Sequence, residues 1–404
     1  MTSSKRMWAV LTTCVIALAA GAWAADNWPH FRGPKYDGIS PDKGIQAKWE
    51  KAPPSVWTEK PELGPAFSTF AIVGDKAYTC GEAKGQQVLF CLDANTGKIL
   101  WQEPFEKHYP DGQGGDGPRS TPTVDGKRVY VQGAWGTLAC FDAEAGGKPL
   151  WSHTYTAKPT WGYSASVLIE GDLAIAVAGG DAGALIGLKK ETGEQVWKAG
   201  TGNPSYATPY PFTFEGKRYV VGFLAKTVII VEPATGREVW SQAWQTDNDV
   251  NAASPIFSDG YLFFSSGYGH GACVVKLESD GDKLKSTPVW DGKAIRAKFQ
   301  SAVLHEGFLY ISDEVALQCV EFKTGNPGWT EKGIKDSTLT LADGQLIVLT
   351  ENGELLIAPA SSKEFKPTTR VKVLEGRSWT VPVLCNGQLF LRNLKQATCL
   401  QLKP

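Results

Sequence analysis

The stretch CLDANTGKILW (Cys91–Trp101) constrains the fold more than any other feature, because variants of it recur along the chain. CFDAEAGGKPLW ends at Trp151, GLKKETGEQVW at Trp197, IVEPATGREVW at Trp240 and CVEFKTGNPGW at Trp329. Aligned on the indole, the series runs Trp57, Trp101, Trp151, Trp197, Trp240, Trp290 and Trp329, with Leu374 in the eighth place and intervals of 39 to 50 residues. A period in the forties is the size of a four-stranded propeller blade. Within one unit, STPTVDG, KRVYVQGAWG, TLACFDA and KPLW are short alternating runs separated by Gly- and Asp-bearing turns, as an antiparallel meander requires. The units beginning at Ala207, Gln300 and Thr380 repeat that pattern.

The turn explains the recurrence. In DANTGK, Gly97 takes the positive-φ position and Thr96 hydrogen-bonds within the turn. Trp101 then stands at a fixed place from which to reach the neighbouring blade, and burying an indole is worth several kcal/mol at roughly 25 cal/mol per Å². The last unit stops at CLQLK (Cys399–Lys403) after three strands, while PSVWTEK (Pro54–Lys60) is a strand without partners. Placing one against the other removes both exposed edges. The expected fold is an all-β, eight-bladed propeller of four-stranded antiparallel blades, closed by the N-terminal strand in the last blade. Seven blades is the alternative, because residues 330–374 lack both the Trp and the Thr-Gly.

At the N-terminus, Lys5 and Arg6 precede the apolar run Met7–Ala20, and Ala22 and Ala24 are small residues of the kind signal peptidase reads. Residues 1–24 therefore read as a cleaved secretory signal. Cys14 lacks the small residues that precede a lipidated cysteine. A lead-in over 25–53 and a propeller over 54–404 follow. Losing Lys5 and Arg6 leaves 39 basic residues against 42 acidic ones, a net charge of about −3, which argues against a nucleic-acid partner. No later segment has the length of a membrane helix. The expectation is an exported, periplasmic or secreted monomer.

Asp93, Thr96, Gly97 and Trp101 match the tryptophan-docking motif, and on them the chain resembles the pyrroloquinoline-quinone (PQQ) type β-propeller repeat family over roughly Ser55 to Pro404. That family includes quinoprotein alcohol dehydrogenases and the BamB-like scaffold of outer-membrane protein assembly. WPHFRGPKYDGIS (Trp28–Ser40) resembles the lead-in of secreted bacterial PQQ-like propeller proteins. The resemblance implies a propeller with a central funnel. In its enzymes, that funnel holds PQQ between a bond joining adjacent cysteines and a Trp, beside a calcium.

This sequence has no adjacent cysteines. Cys91, Cys140 and Cys319 lie six residues before the turn glycine or its equivalent, and Cys399 holds the same place in the last unit. Equivalent positions of different blades are too far apart for a disulfide, whose Cα atoms lie within about 7 Å, so these four read as small buried hydrophobes of the third strand. Cys80 and Cys91 flank one hairpin, and whether they are bonded stays open. Asp247, Asn248 and Asp249 of TDNDVN offer oxygens to a hard cation, although a solvated loop is the simpler account. No cofactor is expected, with PQQ and calcium as the alternative weighed. Catalytic motifs such as G-x-S-x-G are absent.

The residues that open each innermost strand should ring the funnel mouth: Phe67, Arg119, Tyr163, Tyr206, Ala252, Phe299, a position near Asp336, and Trp379. Aromatics and an Arg converging there can stack on a sugar, a peptide or a planar ligand. The plainer reading, ranked first, is that they plug the taper of the mouth. Two long loops, Gln102–Ser120 and Ser152–Ser164, add His108, Tyr109, His153 and Trp161 as a contact surface, and Asp249 completes the candidate set. Three functions follow: a non-enzymatic binding or assembly scaffold first, with protein, peptide or glycan partners in the cell envelope; a quinoprotein-type oxidoreductase with a degenerate site; and a carbohydrate-binding propeller.

Overall fold

The computed structural model describes residues 27–57 and 62–403, so the expected secretory signal over 1–24 lies outside the described residues. Eight antiparallel sheets succeed one another along the chain. Blades 1 to 7 begin with Ala71–Val73, Thr123–Asp125, Leu168–Glu170, Tyr210–Phe214, Ile256–Ser258, Val303–His305 and Thr338–Ala342. Their fourth strands are Ile99–Lys107, Gly146–Thr154, Gln195–Ala199, Glu238–Ala243, Lys283–Gly292, Pro327–Lys332 and Thr369–Lys372. Among the described residues a 3₁₀ turn at Gly180–Ala182 is the only helical element, and no helix is long and apolar enough to cross a membrane.

Blade 8 supplies three strands, Val383–Cys385, Gln388–Arg392 and Ala397–Gln401. The N-terminal segment provides the fourth. Ser55 bridges Leu400 in antiparallel fashion, the Val56 N–H donates to the Cys399 carbonyl at 2.8 Å and the Gln401 N–H to the Pro54 carbonyl at 2.9 Å. The expected closure and the count of eight are both found. The degenerate unit makes a complete blade 7, with Leu374 buried against Leu384 and Leu389 in place of an indole.

The recurring indoles behave alike from blade to blade. Trp57 Nε1 donates to the Ala94 carbonyl, Trp101 to Glu144, Trp151 to Lys190, Trp197 to Pro233, Trp290 to Phe322 and Trp329 to Ser361, each at 2.7–3.1 Å and each into the next blade. Trp240 donates instead to Ser286 Oγ. The turn glycine has two reasons to be there. Gly97 sits at φ 72°, and a Cβ on it would lie 2.8 Å from the Trp57 ring. Asp93 Oδ1 ties the turn by accepting from the N–H groups of Asn95 and Thr96 and from the Thr96 hydroxyl.

The cysteines follow the repeat. Cys91, Cys140, Cys319 and Cys399 are buried in third strands, and the first three lie directly opposite Tyr78, Tyr130 and Tyr310. Cys80 and Cys91 are free thiols: Cys80 faces Leu89, two residues out of register with Cys91. Burial pushes both up to about 12, which keeps them unreactive at neutral pH.

The lead-in does more than its sequence shows. Trp28 pairs with Ile72 of blade 1, and the Val124 N–H of blade 2 donates to the Pro29 carbonyl. Tyr36 packs against the cores of blades 3 and 4. The fully buried Arg32 donates to the carbonyls of Tyr36, Asp37 and, in blade 6, Ala302. Ile39–Ser40 then runs parallel to the first strand of blade 7, and Asp42 Oδ2 accepts from the Gly387 N–H in blade 8. Residues 27–42 thus cross the channel at the end away from the mouth and close it.

His30 belongs to this plug, buried and stacked on Tyr36 with ring centroids 3.8 Å apart. Burial lowers its pKa from 6.5 to about 4. Between those values the unfolded chain binds a proton that the folded one excludes, so stability is full above pH 6.5 and falls as the pH drops toward 4. The parent is expected to lose about 3 kcal/mol more over that window than His30→Gln, by urea unfolding at stepped pH. Equal slopes for the two proteins would refute this.

Candidate functional site

The innermost strands are joined around the channel by a belt of hydroxyls. The Thr69 N–H donates to Thr121 Oγ1, that of Thr121 to Ser166 Oγ, that of Ser166 to Thr208 Oγ1 and that of Ser254 to Ser301 Oγ, all at 2.9–3.1 Å. Thr69 and Thr338 hydroxyls donate to the carbonyls of Val381 and Thr380. Each bond crosses from one blade to the next. Small hydroxyl residues at this place recur in FST, RST, YSAS and DST, a signal that reading for aromatics passed over.

The belt residues Thr69, Thr121, Ser166, Thr208 and Thr338 line a cavity of about 410 Å³ that also meets Phe31 of the lead-in. Phe67, Arg119, Trp161, Tyr206, Ala252, Phe299 and Trp379 stand on its wall. Three expected residues do not. Tyr163 turns into its blade, fully buried, and its hydroxyl donates to the Ala178 carbonyl at 2.5 Å. Asp249 occupies a turn at φ 55°, where its carbonyl accepts from Ser205 Oγ. Asp336 is buried, accepting from Gln300 Nε2 at 3.2 Å. Tyr163 and Asp336 hold the expected repeat positions and Asp249 its loop, but the chain around each aims the side chain elsewhere.

Of the loop residues, Tyr109 and His108 stay near the wall without lining it. His108 Nδ1 meets Glu82 Oε2 at 2.7 Å, and the Arg119 guanidinium lies 4.5 Å over the Tyr109 ring. His153 sits on the outer strand of blade 2, its Nε2 donating to the Gly193 carbonyl of blade 3 at 2.8 Å.

Besides Phe31, the wall residues that the sequence reading missed include Tyr268 and Lys298. Tyr268 comes from the turn between the second and third strands of blade 5, at φ 57°, with its own N–H and that of Gly269 donating to the Glu314 carboxylate. A strained non-glycine backbone held this firmly suits a site residue, and the glycine-flanked aromatic of SSGYGHG is its sequence trace. Lys298 neighbours Phe299 and brings an amine to the wall.

The aromatic groups form two sets. Phe67 stacks on Trp379 at 5.6 Å, with Phe299 4.8 Å from the same indole. Across the cavity Trp161 lies nearly parallel to Tyr268, its Nε1 donating to Gln113 Oε1 at 2.9 Å. Arg119 Nη2 pairs with Asp111 Oδ2 at 2.7 Å, and its Nε donates to the Trp161 carbonyl. Burial lowers the Arg119 pKa, opposed by Tyr109 and Asp111.

Calcium takes about 6–8 oxygens, carboxylates prominent among them. Among the described residues, Asp111 is the sole carboxylate on the wall, and it is bound to Arg119. Asp247 and Asn248 lie off the wall. These residues do not fit a quinone–calcium pair.

A second surface lies on the outside of the ring. The residue before the indole is Leu100 in blade 1, Leu150 in blade 2 and Val196 in blade 3, and these are 47%, 54% and 43% exposed. In blade 4 the equivalent Val239 is only 3% exposed, within the core cluster that also holds Leu277 and Leu284 of blade 5's long outer hairpin.

The family model described as outer membrane protein assembly factor BamB matches residues 54–180 and 136–366. The chain belongs to this family of PQQ-like β-propeller repeat proteins. It is 26% identical over 200 residues to the outer membrane protein assembly factor BamB of Burkholderia pseudomallei (strain K96243), a match over 49% of this chain and 48% of that relative. The chain thus spans about half the length of this curated relative. Among solved structures, BamB from Moraxella catarrhalis superposes with a TM-score of 0.62 at 16% identity, over 85% of this chain and 98% of that one. A quinohemoprotein alcohol dehydrogenase from Pseudomonas putida HK5 gives 0.63 at 13% identity, over 94% and 80%. At such identities the likeness speaks for the fold alone.

Proposed function

We propose that this chain is an exported, non-enzymatic scaffold that holds a protein partner in the cell envelope along the outer edges of blades 1 to 3. The observation that carries the reading is the trio Leu100, Leu150 and Val196: three consecutive blades expose an apolar side chain at the same place on a strand with one unpaired edge. Such edges accept an added strand or a loop through backbone hydrogen bonds, and a repeated apolar row on them is the kind of surface that association buries. The family's description as an assembly factor agrees with this use. The cavity wall supports the non-enzymatic half, because among the described residues its one acid is paired with Arg119 and no histidine stands on it.

A photo-crosslinker at position 150 should give one defined adduct in the envelope, and the same probe at position 331 in blade 6 should not. Leu100→Asp, Leu150→Asp and Val196→Asp together should reduce capture of that partner by about tenfold or more. Equal adducts at both positions, or capture undiminished in the triple variant, would reject the edge. Alcohol-dependent dye reduction after incubation with PQQ and calcium would reject the non-enzymatic reading.

A further inference from the structure

We infer that residues 112–115 form a flap at the cavity mouth, latched shut by Arg377 and Trp161, whose release bares the wall where blades 8 and 1 meet. The inference is independent of the edge reading, which uses the outside of the ring.

The flap hangs between two fixed posts. Asp111 is held by its ion pair with Arg119, at 2.7 Å between mostly buried side chains, and its N–H donates to Asp116 Oδ1 at 2.8 Å. Behind them the Gly117 N–H donates to the Tyr109 carbonyl and the Phe67 N–H to the Pro118 carbonyl, which ties the base of the loop to the entry of blade 1. Between the posts runs Gly-Gln-Gly-Gly. The N–H groups of Gln113 and Gly114 donate to Asp111 Oδ1, and that of Gly115 to the Asp111 carbonyl. Glycine loses more freedom on ordering than any other residue, so holding this stretch in one conformation is costly.

The tip reaches two other blades. Arg377, before blade 8, donates from Nη1 to the carbonyls of Gln113 at 3.1 Å and Gly114 at 2.9 Å. Trp161, before blade 3, donates from Nε1 to Gln113 Oε1 at 2.9 Å. The Arg377 guanidinium also lies 4.5 Å over the Trp379 ring, so it is clasped between the flap and the wall. A Cβ on Gly114 would lie 3.8 Å from the Phe67 ring, and one on Gly115 2.7 Å from Leu394. Arg377 and Gln113 are exposed, and water replaces such bonds at little net cost. Arg377 gives its charge to neutral carbonyls, where Arg119 has a carboxylate. Firm posts and a weak latch are the balance of a segment that opens by itself while the fold stays intact. Opening lifts Gly114 off Phe67 and frees Arg377 from the face of Trp379.

Hydrogen exchange read by mass spectrometry tests the latch, and a cysteine on the wall tests the covering. Val381 lines the cavity two residues on from Trp379, and the thiols of the described residues are buried, so Val381→Cys gives a maleimide its target. Arg377→Ala is expected to speed exchange in residues 112–115 and labelling at position 381 by about tenfold each, with Gln113→Ala adding to both and Arg377→Lys falling between. Thermal melting should not move. Unchanged exchange in the double variant overturns the latch. Faster exchange with unchanged labelling means a mobile loop that covers nothing, and exchange rising along the whole chain means lost folding; either result sinks the proposal.

Discussion

Replacing Arg392 by methionine is expected to destabilise the protein by about 3 kcal/mol, read from the shift in its urea unfolding curve. Arg392 is fully buried in the second strand of blade 8 and reaches into blade 1. Its Nη1 donates to Thr79 Oγ1 at 2.7 Å and the Cys80 carbonyl at 2.6 Å, and its Nη2 to the Gly64 carbonyl at 3.0 Å. Burial pulls its pKa down to about 10, so the charge persists at neutral pH and three neutral oxygens serve it in place of a carboxylate. Methionine fills much of the volume but orphans those acceptors. Relief from burying a charge offsets part of that loss, which is why the figure is not larger. Arg392→Lys keeps the charge and loses the fork, so it should fall between the two. A methionine variant within about 0.5 kcal/mol of the parent would show that the forked contacts contribute little.

Trp57→Ala should cost about 3–5 kcal/mol, more than the same change at Trp101. Trp57 is buried between Phe70 and Phe390, edge-on to both at about 6 Å, and it hydrogen-bonds to the Ala94 carbonyl. It is the indole that joins the two ends of the chain. Trp101 makes the equivalent hydrogen bond from a half-exposed site between blades that are also adjacent in sequence. Comparing the two in guanidinium unfolding separates closure from ordinary blade contact. Equal losses would mean that the seam between blades 8 and 1 is no different from the rest.

The blades were legible in the sequence because each carries its own copy of the instructions: a turn with Gly, a third strand with Cys or an aliphatic residue, then an indole. Closure was legible for a related reason, since Trp57 was a docking residue without a blade and blade 8 lacked a strand. The cavity was legible by position but not by direction. Repeat arithmetic put Phe67, Phe299 and Trp379 at the mouth, where they stand, and put Tyr163 there too, although its hydroxyl is drawn down to the Ala178 carbonyl. Tyr268 and Phe31 escaped because neither lies on the strand that the repeat indexes. One sits at a hairpin tip folded inward, the other on a lead-in that contains no repeat. Arg392 was hidden by its type, since an Arg in a strand reads as solvated until the acceptors around it are seen.

The lead-in has a consequence for how the chain is made. Residues 39–56 leave the ribosome well before their partners at Leu341, Gly387 and Cys399–Gln401 are translated. Until blade 8 is made, Trp57 lacks its Phe390 neighbour, and the nascent arc has two raw ends. Until the residues from Leu341 to Gln401 appear, a neighbouring nascent chain can offer the same grooves. The window for strand exchange between copies therefore spans the synthesis of seven blades, and a holdase that shields the N-terminal segment would shorten it more effectively than one that binds any single blade.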